Sequence, residues 1–193
     1  MTASLRVRRL LWLLFAVLSA LPLSAGVTRL VVESRESPAF AGRVFGDAGA
    51  YERVTGRIVG ELDPSDRRNT IITDLALAPR NARGLVEYEA TFTLLQPVDP
   101  ARASGVLIYS VPNRGNRNLA DTLNVGDDPG DGFIYRRGDA ILFSGWQGDL
   151  APRPGRETIA VPVARHADGS PVTGPVLARF HDFPAGARTL VLP

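Results

Sequence analysis

The stretches GVLIYSV (105–111) and DGFIYRRGDAILF (131–143) decide the fold class. The first is continuous and apolar, as in a strand buried on both faces. The second opens like the end of a helix, with Arg136 and Arg137 in the last turn and Gly138 as the C′ residue. It closes on DAILF, a second buried strand. Between them, NRGNRNLADTLN (113–124) is expected to begin a short helix. Strand, loop, helix, strand over residues 105–149 is a βαβ unit, which implies a parallel pair with a right-handed crossover.

Working outward, residues 27–99 are β-rich. VTRLVVES (27–34) is partly alternating, and YERVTGRIVGEL (51–62) sets Val54, Ile58 and Leu62 among polar residues. FAGRVFGDAGAY (40–51) is a Gly-rich loop, and LDPSDRRN (62–69) is a turn cluster. TIITDLAL (70–77) reads as a short apolar strand. VEYEATFTLLQPVD (86–99) gives the clearest alternation: Val86, Tyr88, Ala90, Phe92 and Leu94 share one face, and Glu87, Glu89, Thr91 and Thr93 the other. Past residue 151, TIAVPVA, VLARFHDF and RTLVLP read as further short strands, the first two separated by the turn HADGSPVTGP. The expected fold class is α/β and β-rich. An N-terminal β region is followed by the first βαβ strands of an incomplete sheet.

A chain of 193 residues, 45% hydrophobic and 22% charged, holds one domain with a real core. Every basic residue is Arg. Arg6, Arg8 and Arg9 supply three positive charges, so the formal charge of +2 becomes −1 without them. Nothing here predicts a nucleic-acid partner, which needs a clustered basic face. Those arginines precede LLWLLFAVLSALPL and the small residues SAG. This is the layout of a signal peptide over residues 1–25, with cleavage after Ala25 and a periplasmic or secreted product. The apolar run is short for a span, so no stable membrane anchor is expected after cleavage. The chain has no Cys, which removes disulfides, thiolate catalysis and Cys-based metal sites.

The G-x-S-x-G elbow of an α/β serine hydrolase does not occur. Ser144, in LFSGWQG, lacks its flanking glycines, and Ser170 sits in the turn DGSPVTG. His166 lies at a turn, and His181 is next to Asp182 in a strand-like run, where neighbours face opposite ways. The two histidines lack metal-ligand spacing, so no metal and no cofactor is predicted. The acidic loop GDDPGDG (126–132) lacks the EF-hand pattern and reads as solvated. SVPNRGNRN (110–118) follows a buried strand, where backbone N–H groups can face a ligand crevice and Arg114 and Arg117 can hold a carboxylate.

Taken together, the joined run from FGDAGAYERVTGRIVGEL through VEYEATFTLLQPVDPARASGVLIYSVPNRGNRN, followed by GDGFIYRRGDAILFSGWQGD, resembles the N-terminal part of a family of bacterial secreted alpha/beta hydrolase domain-containing proteins. The resemblance covers residues 28–193. It implies an incomplete α/β-hydrolase-like sheet, with Asn113, Arg114 and Gly115 near the oxyanion hole. It also implies that Ser144, Gly145, Trp146 and Gln147 lie at the mouth of the site. The family is expected to cleave esters or related acyl bonds, so the implied partner is a small ester-like substrate. The common His-Gly pair of the oxyanion loop is absent, and so are the elbow and triad, which in such hydrolases follow these strands. The expectation is therefore an N-terminal portion that is inactive alone. The rival expectation is a complete, non-catalytic, secreted β-rich binding module.

Overall fold

The computed structural model describes residues 26–117, 119, 123 and 128–175. The expected signal peptide, most of the expected helix after Arg117, and the expected strands at 176–183 and 188–193 lie outside the described residues.

Three long strands form an antiparallel meander: β1 (Gly26–Glu36), β2 (Tyr51–Leu62) and β3 (Val86–Pro97). β2 and β3 pair without interruption from Tyr51↔Pro97 to Leu62↔Val86. β1 shifts register at Val27/Arg29 and Val32/Ser34, as bulges on an edge strand do. β4 (Leu107–Ser110) and β5 (Ala140–Ser144) then join as a parallel pair, and β5 lies antiparallel to β3. The short helix α1 (Phe133–Arg136) precedes β5, with Gly138 at φ 78° as its C′ residue. β6 (Ile159–Ala160) pairs with Glu89 and Ala90 of β3, beyond the end of β5. The described chain is thus mostly one open mixed sheet, ordered β1-β2-β3-β5-β4, with few helices.

The core lies where the start of β2, the end of β3, β5 and α1 meet. The Gly-rich loop folds back over this point through Ala39 N–H to Tyr51 O (2.7 Å) and Phe45 N–H to Gly49 O (2.9 Å). Phe45, Tyr51, Leu95, Tyr135, Ile141 and Phe143 are buried together. Phe45 stacks on Tyr135 with centroids 4.8 Å apart, and Tyr51 meets Tyr135 edge-on at 4.9 Å. Such geometries add to the burial of large rings. The Tyr51 hydroxyl sits within reach of Tyr135 O (3.1 Å) and Asp139 O (2.9 Å). Asp139 is itself buried and accepts from Ser104 Oγ (2.6 Å) and Arg137 Nε (2.8 Å).

Three sequence expectations need correction. Residues 70–77 are not a strand. Asp74 takes a left-handed φ of 58°, a 3-10 turn follows at Leu75–Leu77, and only Leu75 of the apolar set is buried, while Ile71 is 88% exposed. The turn hydrogen bonds Ile72 N–H to Asn69 O and Leu77 N–H to Asp74 O take up the backbone groups a ladder would need. β4 is not buried on both faces: Leu107 and Tyr109 are more than half exposed, because no described element covers the face they share. The alternation of β3 also breaks near its end. Thr93 and Leu95 are buried on the face expected to be polar: the loop bearing Phe45 and Ala48 packs on Leu95, and Glu157 and Arg117 cover Thr93.

Burial pushes the Tyr51 hydroxyl far above its ordinary value, aided by the Asp139 charge. A group with a raised folded pKa stabilises fully below its unfolded value, near 10, and loses that contribution as pH rises above it. Stability is therefore expected to fall above about pH 10, and Tyr51→Phe to flatten that fall. At neutral pH the same substitution is expected to cost about 1–2 kcal/mol by leaving buried carbonyls short of a donor. Urea melts at pH 7 and pH 10.5 measure both effects.

Candidate functional site

β4 and β5 are adjacent and parallel, so their exit loops leave the same edge side by side. The β4 loop turns sharply at Asn113-Arg114-Gly115-Asn116, closed by Asn116 N–H to Asn113 O (3.1 Å). Both central residues have positive φ, 50° at Arg114 and 76° at Gly115, the pattern of a type I′ turn. Gly suits that region, but Arg there is strained, and strain of this kind collects at functional sites.

Three contacts tie the two loops. Trp146 Nε1–H donates to Pro112 O (2.7 Å), and the Arg114 backbone N–H donates to Gln147 Oε1 (2.6 Å). The Arg114 guanidinium reaches Asp149 at 3.4 Å. Of the positions singled out in sequence, the structure thus brings the Asn113-Arg114-Gly115 loop against Trp146 and Gln147, whereas Ser144 ends β5 beside Tyr109 and Gly145 packs on Thr158. The Arg114 N–H is satisfied within the protein by an amide oxygen, Gln147 Oε1.

Ser144 stands apart from its neighbours in character. It is 7% exposed at the end of β5, and its hydroxyl is 2.7 Å from the Tyr109 hydroxyl of β4. Among the described residues no histidine or carboxylate lies within hydrogen-bond reach of it, so nothing there activates it as a nucleophile. Ser170 bonds Asp168 Oδ1 through both N–H (2.9 Å) and Oγ (2.6 Å), a local turn on which the Asp168 pKa is lowered. The His166 N–H closes the same turn on Ser170 O (3.0 Å), and His181 and Asp182 lie outside the described residues. Asp128 and Asp131 accept from the backbone of Gly130 (2.7 Å) and Phe133 (2.9 Å), the latter at the start of α1. No group of acidic or histidine side chains fit for a metal occurs among the described residues.

A third segment, residues 151–158, completes the site and was not singled out in sequence. Its Pro-Gly dipeptide is the signal that marks it as a turn. The turn Arg153-Pro154-Gly155-Arg156 closes through Arg156 N–H to Arg153 O (3.1 Å), with Gly155 at φ 76°, as a type II turn requires. The segment docks on both exit loops. Glu157 N–H donates to Gly115 O (2.8 Å), and Asn116 bridges Arg156. Behind the turn, the buried Glu157 carboxylate accepts from Thr91 and Thr93 hydroxyls at 2.6 Å each. Arg117 reaches Thr93 Oγ1 at 2.8 Å and Glu157 at 3.7 Å.

Two glycines make this docking possible. A Cβ on Gly145 would overlap the backbone of Thr158, and one on Gly115 would overlap Glu157 O and the Arg156 stem. Comparison of the chain with family models, curated proteins and solved structures gives no match. Gly145→Ala is expected to destabilise the protein by about 2–3 kcal/mol, because Thr158 cannot move without losing its pairing to Thr91. A thermal melt of Gly145→Ala beside the exposed-site control Gly174→Ala, where a Cβ meets nothing, measures it.

Proposed function

We propose that this chain supplies the oxyanion loop and the mouth of an acyl-hydrolase site in an exported protein of the α/β type. The observation that carries the reading is the pair of exit loops on adjacent parallel strands, tied by Trp146 to Pro112 and Gln147 to Arg114. In α/β-hydrolases one oxyanion N–H comes from the loop after such a strand. The strained Arg114-Gly115 turn supports the same role, since it fixes backbone N–H groups before a substrate arrives. Asn113, Arg114 and Gly115 are the donor loop. Trp146 and Gln147 form the wall, and Ser144 is a structural residue at the strand end.

The nucleophile, its general base and the orienting acid are not supplied by residues of this sequence. On this reading the chain alone turns over no ester. The substrate class is a small ester or related acyl compound, with no metal or cofactor called for. The signal-like residues 1–25 support export.

Reading the gene beyond codon 193 and assaying its product on short p-nitrophenyl esters tests this. A G-x-S-x-G and ester turnover are expected, with Gly115→Ala lowering kcat by about 10²–10³ through the displaced N–H groups. The chain of 193 residues is expected to show only the uncatalysed rate. Turnover by this chain that disappears in Ser144→Ala would overturn the assignment of roles. A longer product that binds but never hydrolyses would favour the non-catalytic binding module.

A further inference from the structure

Two facing turns bring three arginines to one place beside the exit loops. Arg153 and Arg156 are the first and last residues of the type II turn, which holds their Cα atoms within about 7 Å. Arg114 is a central residue of the type I′ turn opposite, and Asn116 of that turn bridges to Arg156. The Arg156 stem lies against Gly115, and an Arg153 guanidinium nitrogen is 3.4 Å from Asn116 Oδ1. Pro152 and Pro154 restrict the backbone on either side of Arg153, and the Arg156 N–H to Arg153 O hydrogen bond closes the turn, which holds the two arginines together at the backbone.

The local charges do not balance. Arg114 has Asp149 at 3.4 Å, and Arg117 has Glu157 at 3.7 Å. Among the described residues, Arg153 and Arg156 form no ion pair with an acid. The Arg156 Nε is buried without a hydrogen-bond partner, and one of its terminal nitrogens reaches only Ala151 O, at 3.3 Å. Its pKa is lowered, first by burial and then by the Arg153 and Arg114 charges. Like charges held together beside a desolvated donor are unfavourable unless an anion joins them. A guanidinium fork matches a carboxylate with two parallel hydrogen bonds.

We propose that Arg114, Arg153 and Arg156 form a binding site for the carboxylate of a small anionic ligand. On the acyl-hydrolase reading, on which this last step rests, that ligand is the substrate, an ester that carries a free carboxylate. The site adjoins the Arg114-Gly115 turn, so a carboxylate held there sets the rest of the molecule across the exit loops. The anion site itself does not depend on that reading.

Trp146 is the only tryptophan after residue 25, and its hydrogen bond to Pro112 makes its fluorescence a reporter of the loops. The test is a calorimetric and fluorescence titration of the chain with succinate, and with inorganic phosphate and sodium chloride as comparison anions. Saturable succinate binding with a Kd of about 1 mM or tighter is expected. Arg153→Gln and Arg156→Gln are each expected to weaken it about tenfold or more. Asp149→Asn, which removes the competing acid, is expected to tighten it about threefold. That gain keeps the test decisive if an arginine variant fails to fold. No saturable binding, or binding that Asp149→Asn and both Gln variants leave unchanged, would overturn the site. Phosphate binding as tightly as succinate would overturn the carboxylate assignment. Succinate binding to a protein whose longer form cleaves no ester would sink the hydrolase reading and leave the anion site standing. Ester turnover without succinate binding would do the reverse.

Discussion

β3 is paired along both of its edges, and the remaining architecture follows from that constraint. On one side β2 takes every residue from Val86 to Pro97. On the other, β5 takes Phe92–Leu95 and β6 takes Glu89–Ala90, end to end. The junction between β5 and β6 falls at Thr91, which accepts from Gly145 N–H and donates to Thr158 O, both at 2.9 Å. Only a residue without Cβ lets the two segments pass this closely, and Gly145 is that residue. The point where the meander meets the parallel pair is therefore also the point where the loops of the site begin.

Polar groups brought into this sheet find compensation across strands, as buried charge requires. The Glu52 carboxylate is buried beside Arg35 of β1 (3.0 Å) and Gln96 of β3 (2.7 Å). Glu61 is paired with Arg83 and with Asn81 (2.8 Å). Arg57 spans Glu33 (2.5 Å) and Glu89 (3.0 Å), so one guanidinium links β1, β2 and β3. Glu157 belongs to the same pattern, because its two oxygens lock the 151–158 segment onto the threonines of β3. Arg153 and Arg156 lie outside that pattern in a particular way: they are like charges on one turn, and the Arg156 Nε is buried without a hydrogen-bond partner.

The candidate site was partly legible in the sequence. Asn113-Arg114-Gly115 and Gly145-Trp146-Gln147 stood out because each follows an apolar run and carries Gly, and the structure joins them by named hydrogen bonds. The third segment went unread although Arg153-Pro154-Gly155-Arg156 has the chemistry of a type II turn. Turn chemistry gives local shape but not the partner the turn docks on, and docking on Gly115 and Asn116 is a contact about forty residues distant in sequence. Ser144 shows the opposite case. The sequence denied it an elbow, and the Tyr109 hydroxyl beside it agrees with a structural role.

What the sequence by itself determined was local: the strand period of β3, the Gly138 stop after α1, the loop character of residues 40–51, and the parallel β4–β5 pair implied by strand, helix and strand. The first three rest on backbone propensities and on spacing within a few residues, and the last on the order of the elements, since a parallel pair needs a crossover between its strands. The tertiary structure alone decided which faces became interior. It buried Leu95 under the returning Phe45 loop and Thr93 under Glu157 and Arg117, left Leu107 and Tyr109 exposed on β4, and turned TIITDLAL into turns in which Leu75 alone of the apolar residues is buried. Burial is a property of what packs against a strand, and alternation within a strand carries no record of its neighbours. The same reason applies to the arginines at 114, 153 and 156: sequence gives their charge, and only the docking of two turns makes them one site.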